Sequence, residues 1–435
     1  MDVDSENIDS DAARTSHRRW RIAFLLAFGV VVAYFDRVNL SVSQTALNIS
    51  FGVSTIAFGY LSSAYNVTYA LMQIPCGLLL DRFGVRRIGR IGTLLWSLAS
   101  FGAAVSTGVG TFVAARFLLG VGESPTFPGN AKAIGYWFPA RERSLATAIT
   151  DSAAKLSIAI GVPFLGILLL HFGWRWSFAA TGFISLFYFA LFWWIYRNPS
   201  EDKDLSDAER QLISKGGAQP EGETTGHRRA SLWYLLQQPK VYGLAMGWGA
   251  YNYTFYLLVA WLPSYLLNSL HLDLLHSVVY TSVPWLFATF TDLAVGGWLV
   301  DDLIGRGWNP NTVRQAVLVG GTALGLGILG AARAHSPATA LFWISVSIGG
   351  LSAAAPVAWT VPSLIAPREC VGTIGGIANL CGQLGGISAP IITGYIVSAT
   401  HAFSSAFVTA TGILLFGIAG YVVLLGRIEP IPEQQ

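Results

Sequence analysis

Twelve stretches of about 20 mainly apolar residues follow one another along this chain, and no other feature constrains its fold as strongly. They lie near 20–46, 55–80, 88–106, 109–133, 144–170 and 176–197, then near 240–268, 276–300, 313–333, 338–362, 371–398 and 402–426. As a helix, a run of this length spans the ~30 Å hydrocarbon core of a bilayer. Inside lipid each run must satisfy its own backbone groups, which a helix does and an open strand does not. The expected fold is therefore an all-α polytopic membrane protein of 12 transmembrane helices. Only 12% of the 435 residues are charged, half the ~25% usual in soluble domains.

A polar stretch divides the runs six and six. The expected organisation is a tail at 1–19, a six-helix bundle at 20–197, a linker at 198–239, a second bundle at 240–426 and a tail at 427–435. The first run is too long, and too poor in small residues at its end, for a cleaved signal peptide, so it reads as a retained span. With both termini inside, cytoplasmic segments carry 22 of the 27 Lys and Arg residues, while outer loops carry only Arg175 and Arg333. The expected location is a bacterial cytoplasmic (inner) membrane, multi-pass, with both termini cytoplasmic and the lipid bilayer as surroundings.

The two halves echo each other. Glu142 in "PARER" precedes Pro163 by 21 residues, and Glu369 in "APREC" precedes Pro390 by the same 21. "HFGWRWSFAATG" at 171–182 resembles "HAFSSAFVTATG" at 401–412, and "GLLLDRFG" at 77–84 resembles "GWLVDDLIG" at 297–305. Echoes near half the chain length, with an even number of spans between them, imply a parallel repeat about an axis along the membrane normal.

Several function classes find no support. The sequence has no Gly-x-Ser-x-Gly, P-loop, His-Glu-x-x-His or paired Cys-x-x-Cys, so an enzyme is not expected. Cys76, Cys370 and Cys381 lack metal-ligand spacing and read as packing residues; no metal or other cofactor is expected. A net charge of +3 gives no footprint for nucleic acid. "NIS", "NVT" and "NYT" match the glycosylation pattern by chance.

Charges inside the spans are more informative. One at mid-bilayer costs at least ~2.5–3.5 kcal/mol, so those retained have partners or functions. Asp36, Arg37, Arg116, Glu123, Asp151, Lys155 and Asp292 fall in spans, six of them in the first half. At ~1.5 Å per residue, Asp36 and Arg116 reach similar depths from opposite faces, so they can approach. Glu123 lies two turns from Arg116 on the same face, among the helix-loosening residues of "GVGESPTFPG". Asp151 and Lys155 form an i, i+4 pair, read either as a structural lock or as an accessory site. Asp292 reads either as a packing residue near the second loop motif or as part of the ionic machinery.

"GLLLDRFGVRR" at 77–87 carries Gly77, Asp81, Arg82, Gly84 and Arg86, and its weaker copy carries Gly297 and Asp301. This Gly-x3-Asp-Arg-x-Gly-x-Arg-Arg pattern resembles the loop signature of the major facilitator superfamily, and implies a gate at the cytoplasmic side. "YFDRVNLSVS", "ARFLLGVGESPTFPGNAKAIGYWFPARERSLATAI", "WLPSYLL" and "GTIGGIANLCGQLGGISAPIITGYIV" further resemble its anion:cation symporter family, which includes bacterial galactonate, hexuronate and glucarate transporters. The resemblance covers nearly the whole chain. It implies a proton-coupled symporter that imports a small organic anion, a sugar acid or other carboxylate, by alternating access. Asp36 and Glu123 match the family's proton sites, Arg37 its carboxylate-binding base and Arg116 its fourth-span arginine. Tyr34, Tyr69, Trp359 and Asn379 match substrate-lining positions.

Two departures stand out. "DSAAKLS" puts Ala154 where a glutamine would stand and adds the Asp151–Lys155 pair. "AAAPVA" at 353–358 removes short polar groups before Trp359. Both favour a less hydroxylated carboxylate. The competing expectations are a proton-driven exporter of drugs or metabolites, and a transporter-like carboxylate sensor, for which the linker is short. The expected partners are the anion and protons, and the expected state is a monomer.

Overall fold

A computed structural model describes residues 17–139, 142–218, 221, 231–334, 336–367 and 370–432, with the side chains of Ile74, Asp81, Ser144, Val371 and Gly372 left aside. Most of the expected first tail, Glu369 of the second echo, part of the linker and residues 433–435 lie outside these. Among the described residues every regular element is helical.

Before the linker come α1 (Arg18–Val42), α2 (Gln44–Phe51), α3 (Thr55–Ala104), α4 (Val109–Glu123), α5 (Thr126–Trp137) and α6 (Arg143–Ile195). The linker holds α7 (Asp207–Lys215) and α8 (Leu232–Leu235). After it come α9 (Pro239–Asn268), α10 (Leu274–Thr291), a π-helical turn (Asp292–Leu299), α11 (Val300–Gly305), α12 (Pro310–Gly325), α13 (Ile328–Ala332), α14 (Pro337–Ile365), α15 (Val371–Thr400) and α16 (Phe403–Ala419).

Helix underlies each of the twelve apolar stretches. Among the described residues, seven helical stretches are long and apolar enough to cross a bilayer. One, Leu145–Ile195, has 51 residues and suffices for two passes. The stretch at 109–133 is divided into helices of 15 and 12 residues, each too short to span alone.

Two connections are short. At 81–87 and 171–175 two helices meet across a kink, one inside α3 and one inside α6, and one residue in each leaves helical geometry. These are Gly84 (φ 76°, ψ 163°) and Gly173 (φ 78°, ψ 169°), torsions that a Cβ would make costly. Each chain reversal is thus concentrated in one glycine. The fourth stretch divides at Ser124–Pro125, between α4 and α5, so Glu123 ends a helix.

Helices α1 and α6 lie along each other, as do α3 and α4, α9 and α15, and α12 and α14. Across the linker, α3 meets α15, α6 meets α10 and α1 meets α9. The first of these seams is drawn tight at the end away from the termini. There the Tyr60 and Tyr395 hydroxyls are 3.1 Å apart, Ser63 Oγ donates to Ile387 O at 2.7 Å, and Asn66 Nδ2 donates to Gly386 O at 3.0 Å. A Cβ on Gly59 would stand 2.6 Å from Pro390 O, and one on Gly394 2.9 Å from Thr55 O. Ser264 donates to Gln44 at the same end.

The linker is anchored to the first helices. Glu209 accepts from the backbone N–H groups of Arg18 and Arg19 at 3.1 Å each, capping the start of α1, and from Arg19 Nη1 at 2.9 Å. Arg19 also pairs with Glu142 at 2.8 Å, and Arg18 with Asp202 at 2.9 Å.

Of the loop motif, Arg86 reaches Glu201 in the linker at 2.5 Å. Arg82 is exposed and lies over the Phe83 ring. Asp81 lies in α3 with its side chain outside the described set, and Gly77 has no neighbour where a Cβ would stand. In the copy, Gly297 sits within the π-helical turn and Asp301 is exposed in the first turn of α11.

Candidate functional site

The four charges around mid-span converge. Asp36, Arg37, Arg116 and Glu123 are 1%, 6%, 3% and 0% exposed, so none is solvated by bulk water. Arg37 Nε and Nη2 both donate to Glu123 Oε2, at 3.0 and 2.9 Å, and Tyr65 OH donates to the same oxygen at 2.8 Å. Glu123 Oε1 is buried without a hydrogen-bond partner. One carboxylate oxygen thus carries three bonds while its twin has an unused acceptor.

Aromatic rings enclose the guanidinium. Arg37 Cζ lies 4.3 Å from the Tyr34 ring centroid, 4.8 Å from that of Tyr65 and 5.5 Å from that of Tyr69. The π faces stabilise a cation away from water. Tyr256 of α9 lines the same cleft as Arg37 and brings a helix from beyond the linker to the cluster.

Asp36 and Arg37 are neighbours in sequence with separate partners, because successive residues on a helix point about 100° apart. Asp36 accepts from Ser100 Oγ at 2.6 Å and from Ser185 Oγ at 3.0 Å. The expected approach of Arg116 occurs at the backbone, where Arg116 Nη1 donates to the Asp36 carbonyl at 3.1 Å. Arg116 Nε is buried and unpartnered.

A small cleft adjoins the cluster and is lined in part by Arg37, Arg116, Tyr65, Tyr256, Ser62 and Asn66. Ser62 Oγ and Asn66 Oδ1 there are buried and unpartnered. The cleft therefore combines two cations with an unused donor, the Ser62 hydroxyl, which suits an anion.

Other expected residues are placed differently. Trp359 is 44% exposed and meets Trp248 edge-on at 4.9 Å, not the arginine. Asn379 is half-buried on α15. Lys155 is shared between Asp151, on its own helix, and Asp292 across the linker, each at 2.5 Å.

Sequence reasoning missed Tyr65, Tyr256, Ser100 and Ser185. Tyr65 had a signal: it lies four residues before Tyr69, on the same helix face. The serines had none, since hydroxyls in apolar helices commonly bond their own backbone.

The family model described as Major Facilitator Superfamily matches residues 26–390. A Bacillus subtilis (strain 168) protein described as the uncharacterized transporter YybO is 37% identical, with 96% of each chain covered. The D-galactonate transporter of Escherichia coli O6:H1 is 29% identical over 98% of this chain and all of its own. The probable galactarate/D-glucarate transporter GarP of Escherichia coli K12 is 30% identical over 96% of this chain and 97% of its own. Among solved structures, the inward-facing, occupied form of a bacterial homolog to the human lysosomal transporter Spinster superposes with a TM-score of 0.73 at 16% identity, covering 94% of this chain and 97% of the other. A D-xylose-proton symporter superposes at 0.72 and 14%, covering 94% and 98%. The chain belongs to the major facilitator superfamily, whose members are membrane transporters and not enzymes.

Proposed function

We propose that this protein is a proton-coupled symporter that imports a small organic anion by alternating access. It works as a monomer in a bacterial cytoplasmic membrane, both termini inside, with residues 20–197 and 240–426 as the two moving bundles. The observation that carries this reading is the buried Arg37–Glu123 pair beside a polar cleft. Relatives named for galactonate and for galactarate or glucarate support the substrate class.

In this reading Glu123 and the substrate carboxylate compete for Arg37. The arginine offers two parallel donors, the geometry a carboxylate fits best. A proton on Glu123 removes its charge and frees the guanidinium. The entering anion then supplies the missing negative charge. Asp36, held by Ser100 and Ser185, is a second proton carrier, and Arg116 joins its backbone to α4. Two protons moved with a monoanion carry one net positive charge inward. The membrane potential then drives uptake by ~2.3 kcal/mol per 100 mV. Ala154 and the Ala-rich segment at 353–358 supply few hydroxyl partners, which favours a carboxylate with fewer hydroxyls than a sugar acid.

The test uses proteoliposomes and labelled acids, with D-galactonate, D-glucarate, a short dicarboxylate and an aromatic acid as the panel. Wild-type protein accumulates one of these when the lumen is alkaline and electrically negative. Glu123→Gln retains exchange and loses accumulation. A Glu123→Gln protein that still accumulates against a gradient refutes the proton assignment.

A further inference from the structure

A second buried ionic group lies apart from Arg37. Lys155 Nζ is 2.5 Å from Asp151 Oδ2, one turn away on α6, and 2.5 Å from Asp292 Oδ2, the first residue of the π-helical turn beyond the linker. The Lys155 and Asp292 side chains are 3% and 2% exposed, whereas Asp151 is 22% exposed. One ammonium therefore serves two carboxylates, and with all three ionised the group carries one uncompensated negative charge. The elements packed around it offer little more. Tyr251 of α9 and Tyr34 of α1 face the group. Helix α14, which lies against the π-helical turn, has no charged or titratable side chain.

The three residues are not mechanically equivalent. Asp151 and Lys155 share a helix and move together. Asp292 belongs to a separate element whose backbone is pinned: a Cβ on Gly296, in the same turn, would stand 2.7 Å from Ala353 O of α14 and 2.8 Å from Pro356. Asp292 therefore cannot follow Lys155 if α6 and α10 part. Lys155 would keep Asp151 as its counter-ion, and Asp292 would be left a buried carboxylate without a cation. The π-helical turn that begins at this residue is independent support, since such turns recur at functional positions.

We propose that Asp292 is a second proton-binding site, exchanging Lys155 for a proton when the α6–α10 seam opens. The proton comes from water, adds to a carboxylate oxygen of Asp292 and gives a neutral acid. Lys155 stays an ammonium paired with Asp151, and no other bond changes. This builds on the symport reading by adding a titrating group outside the Arg37 cluster, on the other side of the linker.

The test is an infrared titration of the full-length protein in liposomes, reading the carbonyl stretch of protonated carboxyl groups from alkaline to mildly acidic pH. Wild type shows a component that Asp292→Asn loses. Lys155→Met, which removes the competing cation, keeps that component across the whole range. Asp151→Asn leaves one acid for one ammonium and loses it. A spectrum of Asp292→Asn that superposes on wild type at every pH overturns the proposal. If Asp292→Asn does not fold, the opposite behaviour of Lys155→Met and Asp151→Asn decides, and identical spectra from those two overturn it. Wild-type uptake that ignores the pH gradient sinks the symport reading separately, and the spectra alone then decide whether Asp292 takes the proton.

Discussion

Gly120 sets the distance between two helices that build the Arg37 site, although it touches none of the charges. An ideal Cβ on it would stand 2.1 Å from Thr68 Oγ1 and 2.4 Å from the Tyr65 carbonyl oxygen, where ordinary contact begins near 3.4 Å. Gly120→Ala must therefore part α3 and α4 by about 1 Å. Tyr65 rides on α3 and Glu123 on α4, so their 2.8 Å bond stretches to roughly 3.8 Å, beyond hydrogen bonding. Overpacking costs about 1–3 kcal/mol and a lost bond to a charged group about 1.5–3 kcal/mol, together about 2.5–6 kcal/mol. Thr68→Ala does not rescue, because the closer obstacle that remains is backbone. Gly412→Ala is the control: nothing lies within 4 Å of its Cβ position, and the change is neutral or gains up to ~1 kcal/mol. Reversible unfolding of the purified protein in mixed micelles gives the energies, and labelled-acid exchange gives function. A Gly120→Ala protein within about 0.5 kcal/mol of wild type, or full rescue by Thr68→Ala, refutes the close-approach argument.

Other substitutions separate the remaining contributions. Arg37→Lys keeps the charge and loses the fork, so carboxylate affinity falls by about one charge-assisted bond, ~1.5–3 kcal/mol, read by ligand-dependent thermal shift. Ser100→Ala combined with Ser185→Ala strips Asp36 of both hydroxyl donors and destabilises the protein by about 1–3 kcal/mol per site; a double variant as stable as wild type contradicts the assigned bonds. Glu209→Ala removes three donors' acceptor at the start of α1, costs about 1.5–3 kcal/mol locally, and speeds limited proteolysis within 198–218 by about tenfold or more.

The sequence foretold buried charges more readily than their partners. Asp36, Arg37, Arg116 and Glu123 are conspicuous because charge is expensive in an apolar run, and the break beside Glu123 follows from its Gly and Pro neighbours. That Arg116 would use a backbone carbonyl was not legible, because depth along a helix does not fix rotation about it. Lys155 presented Asp151 as its obvious partner at i, i+4, whereas Asp292 is 137 residues further on and reaches it only through the meeting of two helix groups. The two glycine corners were hidden for another reason. Polar residues around Gly84 and Gly173 look like loops, and the structure compresses each to a kink between two helices at one positive-φ glycine. Fold class needed only hydrophobic periodicity and length, which tolerate such local errors.

The seam between Gly59 and Gly394 bears on how sharply the transporter can switch. Each glycine meets main chain on the opposing helix, Pro390 O in one case and Thr55 O in the other. Side chains adjust by changing rotamer, so a closure built from them can loosen by degrees. Main chain held in a helix has no such freedom, and it can only stay seated or lift away with the whole helix. This end of the protein is therefore built like a hatch and not like an iris: a small solute leaking past it would require the rigid displacement of α3 from α15.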